Sequence, residues 1–285
     1  MYSTSTRKFK LIVSALAALV SGANVAYAQT NLPPASTTES TELGAICTDR
    51  PTKSNFACVI ETGHFQYEAD FVNASRLSLD GTRTESVTAL NPTLKYGLAP
   101  NVDIEINGSP AVSVRTRDAS GTSTTLRGIS DTTLRAKWNF LNDSKSGWSA
   151  TLLPWVKAPT ARRGIGNRAV EGGLIVPVNY QVTDNLVLTT APEFDALKDT
   201  NGSGRHFSTS QLVNLGWSLS NGVTLYGELW GSWNFDRPTT VRQYSADVAV
   251  AKSLGKFLQL DAGLNFGLNR FTPGVQGYFG ISQKF

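Results

Sequence analysis

The chain has 285 residues and a formal net charge of +4, from 26 basic and 22 acidic side chains. Three of the cations, Arg7, Lys8 and Lys10, fall in the first ten residues, so the rest carries about +1 and holds no basic block suited to nucleic acid. Past the first thirty residues no run approaches the ~20 apolar residues of a spanning helix, which leaves an exported soluble domain or a closed membrane barrel.

The basic start, the apolar run LIVSALAALV and the small residues Ala26 to Ala28 together read as a secretory signal peptide over 1–28. Residues 29–57 open with a Pro-, Ser- and Thr-rich stretch and read as a periplasmic N-terminal arm. Cys47 and Cys58, the only cysteines, lie in an exported chain and read as a disulfide; the alternative is two unpaired thiols. Only two histidines occur, His64 and His206, far apart and with no Cys-x-x-Cys spacing, so the sequence assigns no metal and no cofactor.

From residue 58 to the end, alternation replaces helical spacing. The pattern predicts an all-β fold, a transmembrane antiparallel up-and-down barrel of about twelve strands over 58–285. The strands fall at 58–72, 86–97, 102–115, 131–141, 148–158, 169–181, 185–198, 207–219, 223–235, 241–252, 257–268 and 274–285. In VTLYGELWGSWNF, for example, Val223, Leu225, Leu229 and Trp233 share one face, and Tyr226, Glu228 and Trp230 share the other. Strands of 10–13 residues suit a bilayer better than a sandwich, whose strands average five or six. Charges at mid-strand would be costly in a sandwich core but are at home in a wet lumen. The lumen and substrate path are therefore expected to hold His64, Glu68, Asp70, Asp103, Glu105, Arg135, Lys137, Tyr226, Glu228, Trp230 and Asp247.

Connections alternate in length. Short ones such as VTDN and SLGK are expected on the periplasmic side; long ones around NASRLSLDGTRTE, RTRDASGTSTTLRG and PTARRGIGNR are expected outside. Arginines collect in or beside the long set. Because Arg grips phosphate bidentately, Arg115, Arg117, Arg127, Arg162, Arg163 and Arg168 are assigned to lipopolysaccharide contact, with ordinary loop solvation as the bland alternative.

The last strand, GVQGYFGISQKF, ends on Phe285 with Ile281 and Phe279 at alternate positions behind it. This end resembles the C-terminal signal that the barrel assembly machinery reads in bacterial outer-membrane barrels. Gln283 departs from the apolar residue usual at that position.

The stretches CTDRPTKSNFACVIETGHFQYEADF, NPTLKYGLAPNVDIEI, GISDTTLRAKWNF, LLPWVKAPTA and LTTAPEFDA cover most of 46–285 between them. They resemble the family named for the meta-pathway of phenol degradation. That resemblance implies a Gram-negative outer-membrane transporter, without enzymatic activity, that takes up small solutes associated with aromatic catabolism. Two other readings stand beside it. A lipid hydrolase would need an activated Ser, such as Ser208 or Ser210 near His206. A surface-binding barrel would work through its loops, which lack obvious aromatic anchors.

Overall fold

The computed structural model describes residues 43–285. The expected signal peptide and the first part of the expected arm lie outside the described residues. Strands form seventeen hydrogen-bonded segments that make twelve spans. The first span is β1 (Phe65–Leu79); the second joins β2 (Thr82–Ala89) and β3 (Asn91–Ala99) across Leu90, which has a positive φ. β4 (Val102–Asn107) with β5 (Ala111–Arg117), and β6 (Ser123–Gly128) with β7 (Thr132–Asp143), make the third and fourth. β8 (Trp148–Ala158) is the fifth. The sixth and seventh are β9 (Glu171–Ile175) with β10 (Val178–Thr183), and β11 (Leu186–Thr190) with β12 (Glu193–Lys198). They are interrupted at Pro177 and Pro192, which have no N–H to give to a ladder. The last five are β13 (Arg205–Ser218), β14 (Val223–Asn234), β15 (Val241–Ser253), β16 (Leu258–Gly267) and β17 (Val275–Lys284).

All neighbours pair antiparallel. The ring closes where β17 meets β1, from Gln66 opposite Lys284 to Arg76 opposite Val275. Closure leaves no edge strand, the condition for a sheet to sit in hydrocarbon.

The polarity of this barrel is reversed relative to a soluble domain. Leu134, Trp138, Val213, Leu215, Leu229, Val248 and Leu264 are exposed on the outside, while Gln66, Lys95, Asp103, Lys137 and Asn214 are fully buried. Aromatic side chains gather at both rims of the apolar belt. Phe194, Phe207 and Phe235 stack with centroids 6.4 and 6.0 Å apart at the end bearing the longer connections. Trp148 and Tyr180 meet at 4.5 Å, and Phe65 and Tyr96 at 4.6 Å, at the end with the short turns. Paired aromatic girdles are the usual anchors at the two membrane–water interfaces.

Three sequence expectations about the strands and loops need correction. The first strand runs over 65–79, not 58–72, because 58–64 belongs to the segment inside the barrel. The region around NASRLSLDGTRTE is not a long loop: β1 and β2 are joined by the two-residue turn Asp80–Gly81, both residues at positive φ (48° and 78°). An Asp-Gly pair in that conformation matches the right-handed twist of a hairpin. Similarly, β5 and β6 carry the wall up to a connection of only 118–122. One flank of the barrel therefore rises beyond the apolar belt as continuous sheet.

Candidate functional site

Residues 43–64 enter the barrel and run across its interior. The part of the expected arm that is described, 43–57, is thus seated in the lumen rather than free in the periplasm. Its own fold is fixed by the Cys47–Cys58 disulfide, the pairing expected from the sequence. Ile60 is completely buried, and its N–H donates to Asp103 Oδ2 at 3.0 Å. Asn139 Nδ2 and Ser149 Oγ both donate to the Ala57 carbonyl, at 2.7 and 2.6 Å. Lys284 Nζ donates to the carbonyls of Gly44 and Ala45 at 3.1 and 3.2 Å, and pairs with Glu61.

Charge pairing fixes the centre. Asp49 receives Lys95 at 2.5 Å and Lys137 at 2.8 and 2.9 Å. Burial alone would push the Asp49 carboxyl up, but the two ammonium groups outweigh it and hold it below the usual carboxylate range. Arg50 forks between Asp70 and Asp261, each at 2.6 Å. Lys53 pairs with Asp247, and the N–H groups of Lys53 and Ser54 each donate to the Glu228 carboxylate at 3.1 Å. Two wall glycines give the segment room. A Cβ at Gly97 would come within 2.0 Å of the Glu61 carbonyl oxygen, and one at Gly280 within 2.1 Å of Arg50 Nη2.

The structure places the sequence-predicted lumen residues as follows. Glu68, Asp70, Asp103, Glu105, Lys137, Glu228 and Asp247 are buried on the inner wall. Six of them touch 43–64 directly; Glu105 instead binds Lys95, Lys137 and Arg135 at 3.6, 3.4 and 3.7 Å. Tyr226 faces Phe56 at 6.2 Å between ring centroids, and Trp230 lies under Lys53 Nζ at 5.3 Å. His64 is a correction: it precedes β1 at the rim rather than facing the lumen from a strand, with Nδ1 against the Thr62 carbonyl at 3.1 Å. Sequence reasoning missed Asp49, Arg50, Lys53, Lys95, Asp261 and Lys284. Lys95 could have been found from the alternation of Leu94, Lys95 and Tyr96; the first three lie in an aperiodic stretch.

Clefts remain on both sides of the segment. One of about 520 Å³ opens at the short-turn end between Cys58, Asn139, Asp143, Trp148 and Asn179. Another of about 250 Å³ lies toward the opposite end, among Lys53, Asp70, Arg135, Gln276 and Tyr278. Their walls carry charge of both signs: Glu61 and Asp143 line the first, and Asp49, Asp70, Arg50, Lys53 and Arg135 the second.

The arginines separate by position. Arg115, Arg117 and Arg127 lie on the outer face of β5 and β6; Arg115 and Arg117 pair with Glu85 and Arg83 of β2, and Arg127 pairs with Ser113 of β5. Arg162, in the connection after β8, donates to the Arg127 carbonyl. Glu85 bridges Arg83 at 2.5 Å and Arg76 at 3.4 Å. Arg163 and Arg168 lie in the same connection as Arg162. Phe279, Ile281 and Phe285 share the outward face of the last strand, and Phe279 packs on Phe71 at 5.2 Å.

The hydrolase arrangement does not form. His206 is on β13, not in a loop, and its Nδ1 meets Asp199 at 3.0 Å, while Ser210 Oγ donates to Glu193 at 3.0 Å. No Ser–His hydrogen bond is present among the described residues.

Residues 48–285 match the family described as "Putative MetA-pathway of phenol degradation". No curated protein matches the chain. An outer membrane channel of Pseudomonas putida F1 is similar in structure at 14% identity, over 80% of this chain and 97% of that one, with a TM-score of 0.64. The translocator domain of the autotransporter NalP from Neisseria meningitidis is similar at 12% identity, over 79% and 89% of the two chains, with a TM-score of 0.51. At these identities the likeness is one of fold, the outer-membrane type of barrel.

Proposed function

Since the chain belongs to this phenol-degradation family, we propose that it is an outer-membrane channel that takes up small solutes, aromatic and hydrophobic compounds among them, through its lumen. The observation that carries this reading is the inner wall. A purely structural barrel of this size could fill its interior with apolar side chains; this one keeps a charged lumen with clefts on both sides of the inserted segment. Eight strands are about filled by side chains and sixteen leave an open channel, so twelve leave space that residues 43–64 narrow without filling. The aromatic preference is supported by Phe56, Tyr226 and Trp230, whose faces a flat solute could share. The chain's partners on this reading are the solute, outer-membrane lipid and lipopolysaccharide. The barrel assembly machinery would read the strand bearing Phe279, Ile281 and Phe285.

The test compares uptake of phenolic acids, fatty compounds and small inorganic anions by cells with and without the protein, alongside conductance of the purified protein in planar bilayers. Faster entry of the aromatic or fatty compounds, with measurable conductance, is the expected result. Equal uptake of every compound by the two cell types would overturn the reading.

A further inference from the structure

We propose that Asp199, His206 and Asp236 form a binding site for a divalent cation of the zinc type at the long-connection mouth of the barrel. The sequence assigns no metal, because it shows only two distant histidines. The fold instead brings one of them between two carboxylates from separate connections. Asp199 opens the stretch 199–204 between β12 and β13, His206 is the second residue of β13, and Asp236 lies in 235–240 between β14 and β15. Register makes them neighbours: Leu197 pairs with His206, and Ser208 with Asn234.

The ligand atoms, His206 Nδ1 and one oxygen from each carboxylate, all lie within 4.8 Å of one another. Nδ1 is 3.0 Å from Asp199 Oδ1 and 3.6 Å from Asp236 Oδ1. Zinc binds imidazole nitrogen and carboxylate oxygen at about 2.1 Å, so tetrahedral ligands stand about 3.4 Å apart. The two observed separations bracket that value. One imidazole, two carboxylates and an open fourth position is a set that a zinc-type ion accepts.

A plain ion pair leaves part of this arrangement unexplained. The His206 side chain is only 8% exposed, and its Nε2 has no partner, so the ring is held through Nδ1 alone, toward the carboxylates. A proton on Nδ1 satisfies Asp199, but at 3.6 Å Asp236 Oδ1 is beyond hydrogen-bond range. Thr200 N–H donates to Asp236 Oδ2 at 2.9 Å, while Oδ1 is buried with no donor. A bare buried carboxylate oxygen is costly; a cation between the three groups would satisfy it and Asp199 together. The neighbouring cation, Lys198, is directed to the carbonyls of Asp199 and Gly202 and does not occupy the site. A bound ion would tie the 199–204 connection to the 235–240 connection across β13 and stiffen that side of the mouth.

The experiment is calorimetric titration of zinc chloride into the full-length mature protein, purified in detergent without a histidine tag and stripped with chelator. One ion per chain is expected. His206→Gln and Asp236→Asn should each weaken binding at least about tenfold, and His64→Gln should leave it unchanged. Cobalt(II) should give visible absorption bands with the wild type that His206→Gln abolishes. Folding of each variant is read from heat-modifiable gel migration, and Asp236→Asn, the near-isosteric change, carries the test if His206→Gln fails to fold. Equal zinc affinity in wild type and Asp236→Asn, or no saturable binding to the wild type, would overturn the proposal and leave a histidine–carboxylate ion pair.

Discussion

Asp49 and Lys137 lie 88 residues apart in sequence, yet their charged groups meet at 2.8 and 2.9 Å in the middle of the barrel. Lys137 is wholly buried on β7, and the carboxylate that neutralises it comes from the inserted segment, as does the charge beside the equally buried Lys95. Removing one partner of a buried pair costs about 3–5 kcal/mol because the other charge is left bare. Asp49→Ala is therefore expected to unseat residues 43–64 from this wall and raise single-channel conductance well above wild type. Identical conductance traces for the two proteins would show that the segment is held elsewhere.

The same contact sets an acid limit. Asp49 is held below its ordinary value of 3.8 by Lys137 and Lys95. A carboxyl depressed in the folded state stabilises fully above its unfolded value, and that contribution is lost as pH falls through the lower folded value. The Asp49 contact is therefore expected to hold unchanged between about pH 5 and pH 8 and to loosen only below about pH 3, so the conductance difference between wild type and Asp49→Asn should persist across the former range and narrow in the latter. A difference between the two proteins that already vanishes near pH 6 would contradict the assigned role of Asp49.

The Cys47–Cys58 bridge closes a short loop inside the lumen. A loop of this length stabilises by roughly 3 kcal/mol in the chain-entropy view. That stabilisation belongs to the segment, since every barrel ladder forms without it. The double variant Cys47→Ser/Cys58→Ser should keep the barrel's melting temperature in detergent while giving noisier, larger conductance steps. A marked fall in melting temperature with quiet channels would reverse that division of roles.

The barrel was legible because its two faces meet different solvents. Leu229 outside and Glu228 inside are adjacent residues with opposite environments, and that contrast repeats along most spans. The inserted segment was not legible for the complementary reason. Asp49, Arg50 and Lys53 sit on no periodic element and become a site only through the walls around them. The expected first strand begins too early because the break before β1 is a turn at Gly63, at positive φ, and the residues ahead of it carry no other stop signal. Asp80–Gly81 was a visible hairpin signal, obscured by the polar residues that surround it where the wall rises beyond the belt. His206 with Asp199 and Asp236 was illegible, because three separate pieces of chain converge on it.

The raised flank carries the arginine argument. Arg76, Arg83, Arg115, Arg117 and Arg127 point outward there, with Glu85 as the acid in register among them. Such a surface suits the phosphates of lipopolysaccharide, which guanidinium groups grip bidentately. Replacing Arg83, Arg115 and Arg117 with Glu is expected to lower the lipopolysaccharide that co-purifies with the barrel, leaving its conductance unchanged. Unaltered lipopolysaccharide content in the triple variant would assign these arginines to solvation alone.

The buried charges also set ion preference. Arg135 and Lys137, the cations of the expected path, both face Glu105, and Lys137 is further committed to Asp49. Around the segment Asp49, Glu68, Asp70, Asp103, Glu105, Glu228, Asp247 and Asp261 face Arg50, Lys53, Lys95, Arg135 and Lys137, an excess of carboxylate of eight to five. A lumen lined by one sign of charge concentrates the opposite ion. In a potassium chloride gradient the reversal potential should therefore have the sign of potassium permeation. Asp247→Asn combined with Asp261→Asn should shift it toward chloride, because it removes two of those acids, and the shift should shrink in strong salt as screening grows. A chloride-selective wild-type channel would mean that Arg50 and Lys53, which those two carboxylates now neutralise, govern passage instead.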